Sequence, residues 1–254
     1  MENNYNGVKI YSIGASNEEH GPGLPVNIDD FFAKRVSVNV AERLRADYIG
    51  HLPYSSDRVG EIARDWNHSY IEMDLMIDNI VKDVERDKNR LVGKFSHCII
   101  ISGHGGNNFL NDHSDKIGNM LEIPFLYISP LAGIRVLHPE HDAINPSHAD
   151  DCEHSIARFL GVLNENGFEK LNIEAKKHPI NVLKKWPALM GLAGYVLPEL
   201  GGERYTKLRE YCGEENGRLF LQRRSIIADY DVGKEFVDRN VYMAFKEIKK
   251  FFMD

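Results

Sequence analysis

Between His97 and Gly103 the chain carries Cys98-Ile-Ile-Ile101-Ser102, and Gly103-His-Gly-Gly-Asn-Asn108 follows without a break. Consecutive apolar residues, three of them β-branched, do not alternate as a half-exposed strand does, and the run is too short for a helix. It suits a strand covered on both faces, as the inner strands of a parallel sheet are. Parallel strands need crossover connections, usually helical, so the rest of the chain should alternate strand and helix.

That alternation is legible. Val8-Lys-Ile-Tyr-Ser-Ile13 reads as a strand ended by Gly14-Ala15-Ser16, and a polar, proline-containing segment follows over 17–28. Asp29 or Asp30 can cap a helix to about Ala46, with Phe31, Val38, Ala41 and Leu44 as its apolar face. A second helix, from about Ser69 to Lys88, carries Ile71, Met73, Leu75, Met76, Ile80 and Val84. Residues 95–102 form the buried strand, and a helix is expected from the glycine loop to Leu121. Residues 123–129 read as the next strand, and a long polar loop leads to a helix from about His148 to Asn164. Residues 170–211, with Pro179, Pro187 and Pro198, read as irregular with strands near Ile180 and Tyr195. A helix over 235–251 places Phe236, Val237, Val241, Phe245 and Ile248 on one side. One α/β domain over residues 1–254 is the expectation.

A chain of 254 residues with 43% hydrophobic and 27% charged residues easily builds a core and leaves no case for disorder. Net charge is −7 without a long Lys/Arg run, so neither nucleic acid nor an anionic membrane is an expected partner. The first residues lack the basic and apolar regions of a secretory signal, and no apolar run approaches the roughly 18 residues of a bilayer span. Cys98, Cys152 and Cys212 are scattered and odd in number. They read as ordinary buried thiols in a reducing cytoplasm, not as a disulfide framework or a thiolate metal site.

Three polar clusters carry chemistry. The first is Glu18-Glu-His20-Gly-Pro-Gly-Leu-Pro-Val-Asn-Ile-Asp29, after the first strand. In an extended backbone Glu18 and His20 leave on the same side, and Asp29 returns once the glycine and proline loop has turned. Imidazole nitrogen and carboxylate oxygen suit Zn²⁺, Mn²⁺ or Fe²⁺, and a bridging carboxylate such as Asp29 can hold two ions. Taken singly, each of these residues is better explained as a loop carboxylate, a cap or a surface histidine. The second cluster centres on His104, whose flanking glycines let backbone and ligand approach closely. A phosphate cradle is the competing reading, but no Walker lysine follows and the glycine spacing fails the dinucleotide fingerprint. The third is His148-Ala-Asp-Asp151-Cys-Glu153-His154, where a helix start alone accounts for the acidic residues.

Together the clusters resemble the creatininase family of metal-dependent amidohydrolases. The family pattern is Glu-x-His-Gly-Pro-x-Leu-Pro with Asp nine after the His, a strand ending in Gly-His-Gly-Gly-Asn, and a later His-Ala-x-x-x-Glu. Order and separations agree over residues 8–165. The resemblance implies a three-layer α/β/α domain with a mostly parallel sheet, often in a homohexamer. It implies two divalent metal ions (Zn, Mn or Fe) at the C-terminal strand ends. It makes Glu18, His20, Asp29 and His104 metal ligands, with Asp29 bridging. His148 becomes the proton-handling catalytic residue, and Glu153 a ligand or a catalytic proton-transfer partner. This sequence departs from the family at three places. Gly106 stands where some members have a ligating glutamate, so Glu153 or Asp151 must replace it if two ions bind. Asp151 stands where glutamate is frequent, and Gly23 where histidine commonly precedes Leu-Pro.

The implied reaction is hydrolysis of a non-peptide amide, cyclic or formyl, in a small polar substrate. Divalent metal lowers the pKa of water from about 15.7 towards 7, and His148 protonates the leaving nitrogen, a step worth roughly 10²–10⁴ in rate. Asn107 and the Gly105 and Gly106 N–H groups are candidates for steadying the oxyanion. True creatininases close a tryptophan-bearing loop over the substrate, whereas residues 131–147 contain Arg135, His138 and His141 and no aromatic residue. Creatinine is therefore the lesser expectation. The alternatives are creatininase activity proper, a family member that binds metal without turnover, and a phosphate- or nucleotide-binding protein built on residues 103–108.

Overall fold

The computed structural model describes residues 5–91, 95–129, 134–138, 141–144, 146–201, 208–209 and 214–253. The chain forms two compact units. One comprises Met1–Ser16, Asp29–Pro130 and Asp238–Asp254; the other comprises Asn17–Ile28 and Leu131–Val237.

The first unit is built on a four-stranded parallel sheet of order β2-β1-β3-β4. Its strands are β1 (Val8–Ile13), β2 (Asp47–Leu52), β3 (His97–Ser102) and β4 (Phe125–Ile128). β1 is buried throughout and β3 at every residue after His97, as the unbroken apolar run predicts. Tyr11, Ile13, Cys98 and Ile100 pack with Met76, Ile77, Ile80 and Val84 of α2 (Met73–Arg90) and with Ile117 and Leu121. Ile10, Ile99 and Ile101 point to the opposite face and are equally buried, so both faces of the sheet are covered. Full burial of one such side chain contributes about 1.5–3 kcal/mol.

α1 (Ile28–Leu44) begins before the expected cap, so Asp29 and Asp30 lie in its first turn, where the macrodipole favours carboxylates. Its buried positions are Ile28, Phe32, Ala33, Val36, Val40, Ala41 and Leu44, whereas Phe31 is exposed. The shift from the expected face follows from the two adjacent phenylalanines, only one of which can point inward. α2 likewise turns Met73 and Leu75 outward. β2 is not evident in the sequence, because Asp47-Tyr-Ile-Gly-His-Leu52 has no clean alternation. The helix expected after the glycine loop is broken at His113 into α3 (Phe109–Asp112) and α4 (Ser114–Leu121).

The second unit holds a short antiparallel hairpin, β5 (Val136–His138) with β6 (His141–Ile144), inside what reads as a polar loop. Its helices are α5 (Asp151–Leu160), α6 (Glu165–Lys177), α7 (Pro179–Lys185), α8 (Leu189–Val196), α9 (Glu215–Arg223) and the start of α10 (Tyr230–Phe251). Their core includes Leu24, Ile28, Ala157, Leu171, Val182, Leu189, Phe220 and Ile226. The strands expected near Ile180 and Tyr195 are not there; both residues are helical. Pro179 instead opens α7 and Pro198 opens a 3₁₀ turn, at first-turn positions where the missing N–H goes unmissed. α5 starts at Asp151, not His148, because Asp150 is its cap and accepts from Cys152 N at 2.9 Å and Glu153 N at 3.2 Å.

Cys98 and Cys152 are buried, unpaired thiols, as expected, and burial pushes both thiol pKa values up. Cys212 lies outside the described residues, as do residues 130–133, 139–140 and 145 of the loop before His148. Among the described residues no helix is long and apolar enough to cross a membrane.

Candidate metal centre

In an open parallel sheet, ligands bind beyond the carboxyl ends of the strands, where the strand order reverses. Here the order 2-1-3-4 reverses between β1 and β3. Their ends are level: Ile13 pairs with Ser102, and Gly103 N donates to Ile13 O at 2.8 Å. Two glycines let the first turn of α1 sit on those ends. A Cβ at Gly14 would lie 2.9 Å from the Asp30 nitrogen, and one at Gly103 would collide with the Asp29 carbonyl. The close approach brings His104 to Asp29. Nδ1 of His104 lies 3.0 Å from Asp29 Oδ2, and Nε2 lies 3.2 Å from Ser56 O; both side chains are buried. The first unit therefore joins two of the expected ligands directly.

The sequence gives no sign of what surrounds this pair. Asp30 Oδ1 lies 2.8 Å from His51 Nε2, and His51 Nδ1 lies 3.0 Å from Ser12 Oγ, which also meets Tyr48 OH at 2.8 Å. This chain of partners ties the start of α1 to β1 and β2, and the sequence pattern does not reveal it because β2 lacks a clean alternation. Asn107 is fully buried; its Oδ1 accepts from Ser56 N at 2.9 Å, and its Nδ2 has no hydrogen-bond partner among the described residues. Gly106 is explained by crowding. A Cβ there would meet the His104 ring and lie 2.5 Å from Ser56 O.

In the second unit Glu18, His20 and His148 each offer one donor atom, all within 4.8 Å of one another. Hydrogen bonds to backbone carbonyls fix both imidazoles. His20 Nδ1 pairs with Glu18 O at 3.0 Å, and His148 Nε2 pairs with Glu19 O at 2.8 Å. A carbonyl oxygen only accepts, so each of those nitrogens carries the proton. The other nitrogen of each ring faces carboxylate oxygen. His20 Nε2 lies 3.6 Å from Glu153 Oε2 and 3.9 Å from Glu18 Oε2, and His148 Nδ1 lies 3.6 Å from Glu18 Oε1. These gaps exceed hydrogen bonds. Two donors bound at about 2.1 Å in a tetrahedral set stand about 3.4 Å apart, so the spacing and the N/O donor chemistry of Glu18, His20 and Glu153 fit a divalent ion, with His148 beside them. Second-shell fixation of the imidazole by a carbonyl is likewise usual at metal sites.

The third cluster divides. Glu153 Oε2 accepts from Ala149 N at 2.6 Å while facing His20. Asp151 is held elsewhere, with both oxygens 2.6 Å from Arg223 Nη2 and Oδ1 accepting from Ile227 N at 2.8 Å. Of the two candidates to replace the missing glutamate, only Glu153 faces the donor set of this unit. His148 precedes α5 and so does not share a helical face with Asp151. The space at Gly23 is taken: a Cβ there would stand 3.0 Å from His154 Nε2 and 3.3 Å from Phe168 Cβ. His154 Nδ1 donates to Asp150 O at 2.8 Å, and burial lowers the His154 pKa to about 4. Of the expected substrate-loop residues, His138 Nε2 lies 4.0 Å from Asp229 Oδ2, and the side chain of His141 lies outside what is described.

No protein-family model matches the chain. Among curated proteins it is similar to the 2-amino-5-formylamino-6-ribosylaminopyrimidin-4(3H)-one 5'-monophosphate deformylase of Methanosphaera stadtmanae. The two are 25% identical over 214 residues, 70% of this chain and 90% of the relative. The protein of the same name from Methanobrevibacter ruminantium is 26% identical over 177 residues, 67% of each chain. In fold it is similar to a putative creatinine amidohydrolase from Bacteroides fragilis, with a TM-score of 0.56, 17% identity and coverage of 94% of this chain and 87% of the other. A tryptophan-to-alanine variant of creatininase gives a TM-score of 0.56 at 16% identity, covering 96% of this chain and 91% of that one. The chain has the creatininase fold and sequence similarity to the formylaminopyrimidine deformylases.

Proposed function

We propose that this protein is a metal-dependent amidohydrolase acting on a formyl amide of a small polar substrate. The carrying observation is the pair of tautomer-fixed imidazoles, His20 and His148, whose acceptor nitrogens face Glu18 and Glu153 at 3.6–3.9 Å. A formyl amide is favoured over creatinine because the sequence similarity runs to deformylases, whereas the creatininases are alike in fold alone. The absence of any aromatic residue from residues 131–147 points the same way.

By family resemblance the ligand set we assign is Glu18, His20, Asp29, His104 and Glu153, which would hold two divalent ions, Zn²⁺, Mn²⁺ or Fe²⁺, per chain. When bound, divalent metal supplies activated water at neutral pH and Lewis-acid polarisation of the carbonyl. The chain's own residues do the rest. His148 keeps its Nε2–H on the Glu19 carbonyl, which orients the ring and leaves Nδ1 to take and return the proton. Attack by water on the formyl carbon breaks the C–N bond, the proton passes from His148 Nδ1 to the leaving nitrogen, and formate and amine result. Asn107 Nδ2 is the donor we assign to the developing oxyanion. Residues 1–254 are taken as one catalytic domain, working as a homo-oligomer, hexameric by family resemblance, in the cytoplasm.

Elemental analysis of protein purified without added metal tests the centre. Close to two divalent ions per chain is expected; at most one, even after soaking with metal, rejects the binuclear form.

A further inference from the structure

Four buried residues of the second unit adopt backbone conformations that L-residues avoid. Met190 (φ 55, ψ 51), Gly191 (φ 74, ψ 41) and Leu192 (φ 62, ψ 33) form a left-handed turn inside α8, and Ala149 has φ 50. Only one of the four is glycine, and left-handed geometry is unfavourable for every residue with a Cβ. Such a turn persists where its surroundings over-determine it. Its contacts converge on the backbone around His148: Gly191 N donates to His148 O at 2.7 Å, and Met190 N donates to Ala149 O at 3.3 Å. Gly191 also packs flush against the preceding residue, where an added Cβ would lie 2.6 Å from Ser147 Oγ. One step earlier, Leu189 fills the space over Gly21, where a Cβ would lie 2.8 Å from Leu189 Cδ2, directly after His20.

We infer that the left-handed turn at residues 190–192 is a positioning element that sets the backbone, and through it the ring, of His148. The inference rests on the reading of His148 as the proton carrier. The turn touches no reacting atom; it grips the peptide on which His148 sits, while Ala149 N is held from the other side by Glu153 Oε2 at 2.6 Å. Three of the six non-glycine residues with positive φ among the described residues, Ala149, Met190 and Leu192, thus lie on the backbone that holds this imidazole or on the turn bonded to it. Displacement by about 1 Å at such a group can lower turnover about 10²-fold without altering what is bound.

The test is Gly191→Ala, whose new methyl pushes on Ser147, paired with Ser147→Gly in the same chain to remove the collision. For Gly191→Ala the expected results are a folded protein with wild-type metal content, KM within about threefold, and kcat lower by about 10²-fold. The His148 imidazole resonances, assigned by their loss in His148→Ala, should shift or broaden. The double variant, freed of the collision though still carrying an alanine at φ 74, should recover most of the lost kcat and return the resonances towards wild type. Wild-type kcat and resonances in Gly191→Ala, or no recovery in a folded, metal-loaded double variant, overturns the inference. Should Gly191→Ala not fold, Ser147→Val crowds the same contact with the glycine in place, and unchanged kcat and resonances there overturn it equally. The resonances also separate the two claims. A wild-type protein without amidase activity rejects the proposed function, whereas unmoved His148 signals reject the positioning role.

Discussion

Arg223, at the end of α9, reaches the start of α5 and places Nη2 2.6 Å from both oxygens of Asp151. The two side chains are 12% and 6% exposed, and Ile227 N adds a third contact at 2.8 Å. Breaking a buried ion pair by removing one partner costs roughly 3–5 kcal/mol, because the survivor is left charged and desolvated. Arg223→Met should fall near the lower end, about 3 kcal/mol, since Ile227 N–H still serves Asp151 and the methionine fills part of the volume. For a chain of this size 1 kcal/mol moves Tm by about 2–4 °C, so a drop of about 6–12 °C is expected. Thermal unfolding of chelator-treated protein is the assay, because metal release then adds nothing to the transition. Asp112→Ala is the control: its pair with Arg58 is 41% and 62% exposed and is worth less than about 1 kcal/mol. A drop for Arg223→Met no larger than the control's refutes the energetic argument. Asp151→Asn should keep wild-type metal content; loss of metal there makes Asp151 a ligand and overturns its assignment to Arg223.

Three further outcomes are expected. Burial holds the His154 pKa near 4 against an ordinary value of 6.5, so below pH 6.5 the unfolded chain takes up a proton that the folded chain refuses. At about 1.36 kcal/mol per pH unit, His154 should withdraw about 3 kcal/mol of stability between pH 6.5 and 4; a His154→Gln variant with the same acid limb in denaturant titrations contradicts this. His104→Ala should lower both metal occupancy and rate, whereas His148→Ala should keep its metal while turnover falls roughly 10²–10⁴-fold; equal metal loss makes His148 a ligand. Creatinine turnover should be weak or absent, and efficient conversion of creatinine to creatine by the purified protein shows the loop argument to be wrong.

The sequence disclosed what is dictated by local pattern. The Cys98 to Ile101 run and the strand after α4 were legible through unbroken apolar residues, and the strand before Gly14 through Val8, Ile10, Tyr11 and Ile13 closed by a glycine. β2 was not, since an edge strand of Asp47-Tyr-Ile-Gly-His-Leu52 depends on its neighbour for definition. Helices α7 and α8 were hidden by prolines that initiate helices as readily as they break them. At the candidate site the donor residues could be named, but their division of labour could not. That Asp151 faces Arg223 while Glu153 faces His20 depends on a partner more than 70 positions away in the chain. The left-handed turn at 190–192 has no sequence signal beyond Gly191, because only tertiary contacts hold Met190 and Leu192 there.

Formate release from a 5-formamidopyrimidine tests the central claim most directly, measured on chelator-stripped protein and again after reloading with Zn²⁺, Mn²⁺ or Fe²⁺. The account predicts formate and free amine in equal amounts from the reloaded protein, nothing above background from the stripped protein, and loss of activity in His148→Ala. Formate release at the same rate with and without metal, or none from protein shown to hold two ions per chain, contradicts it.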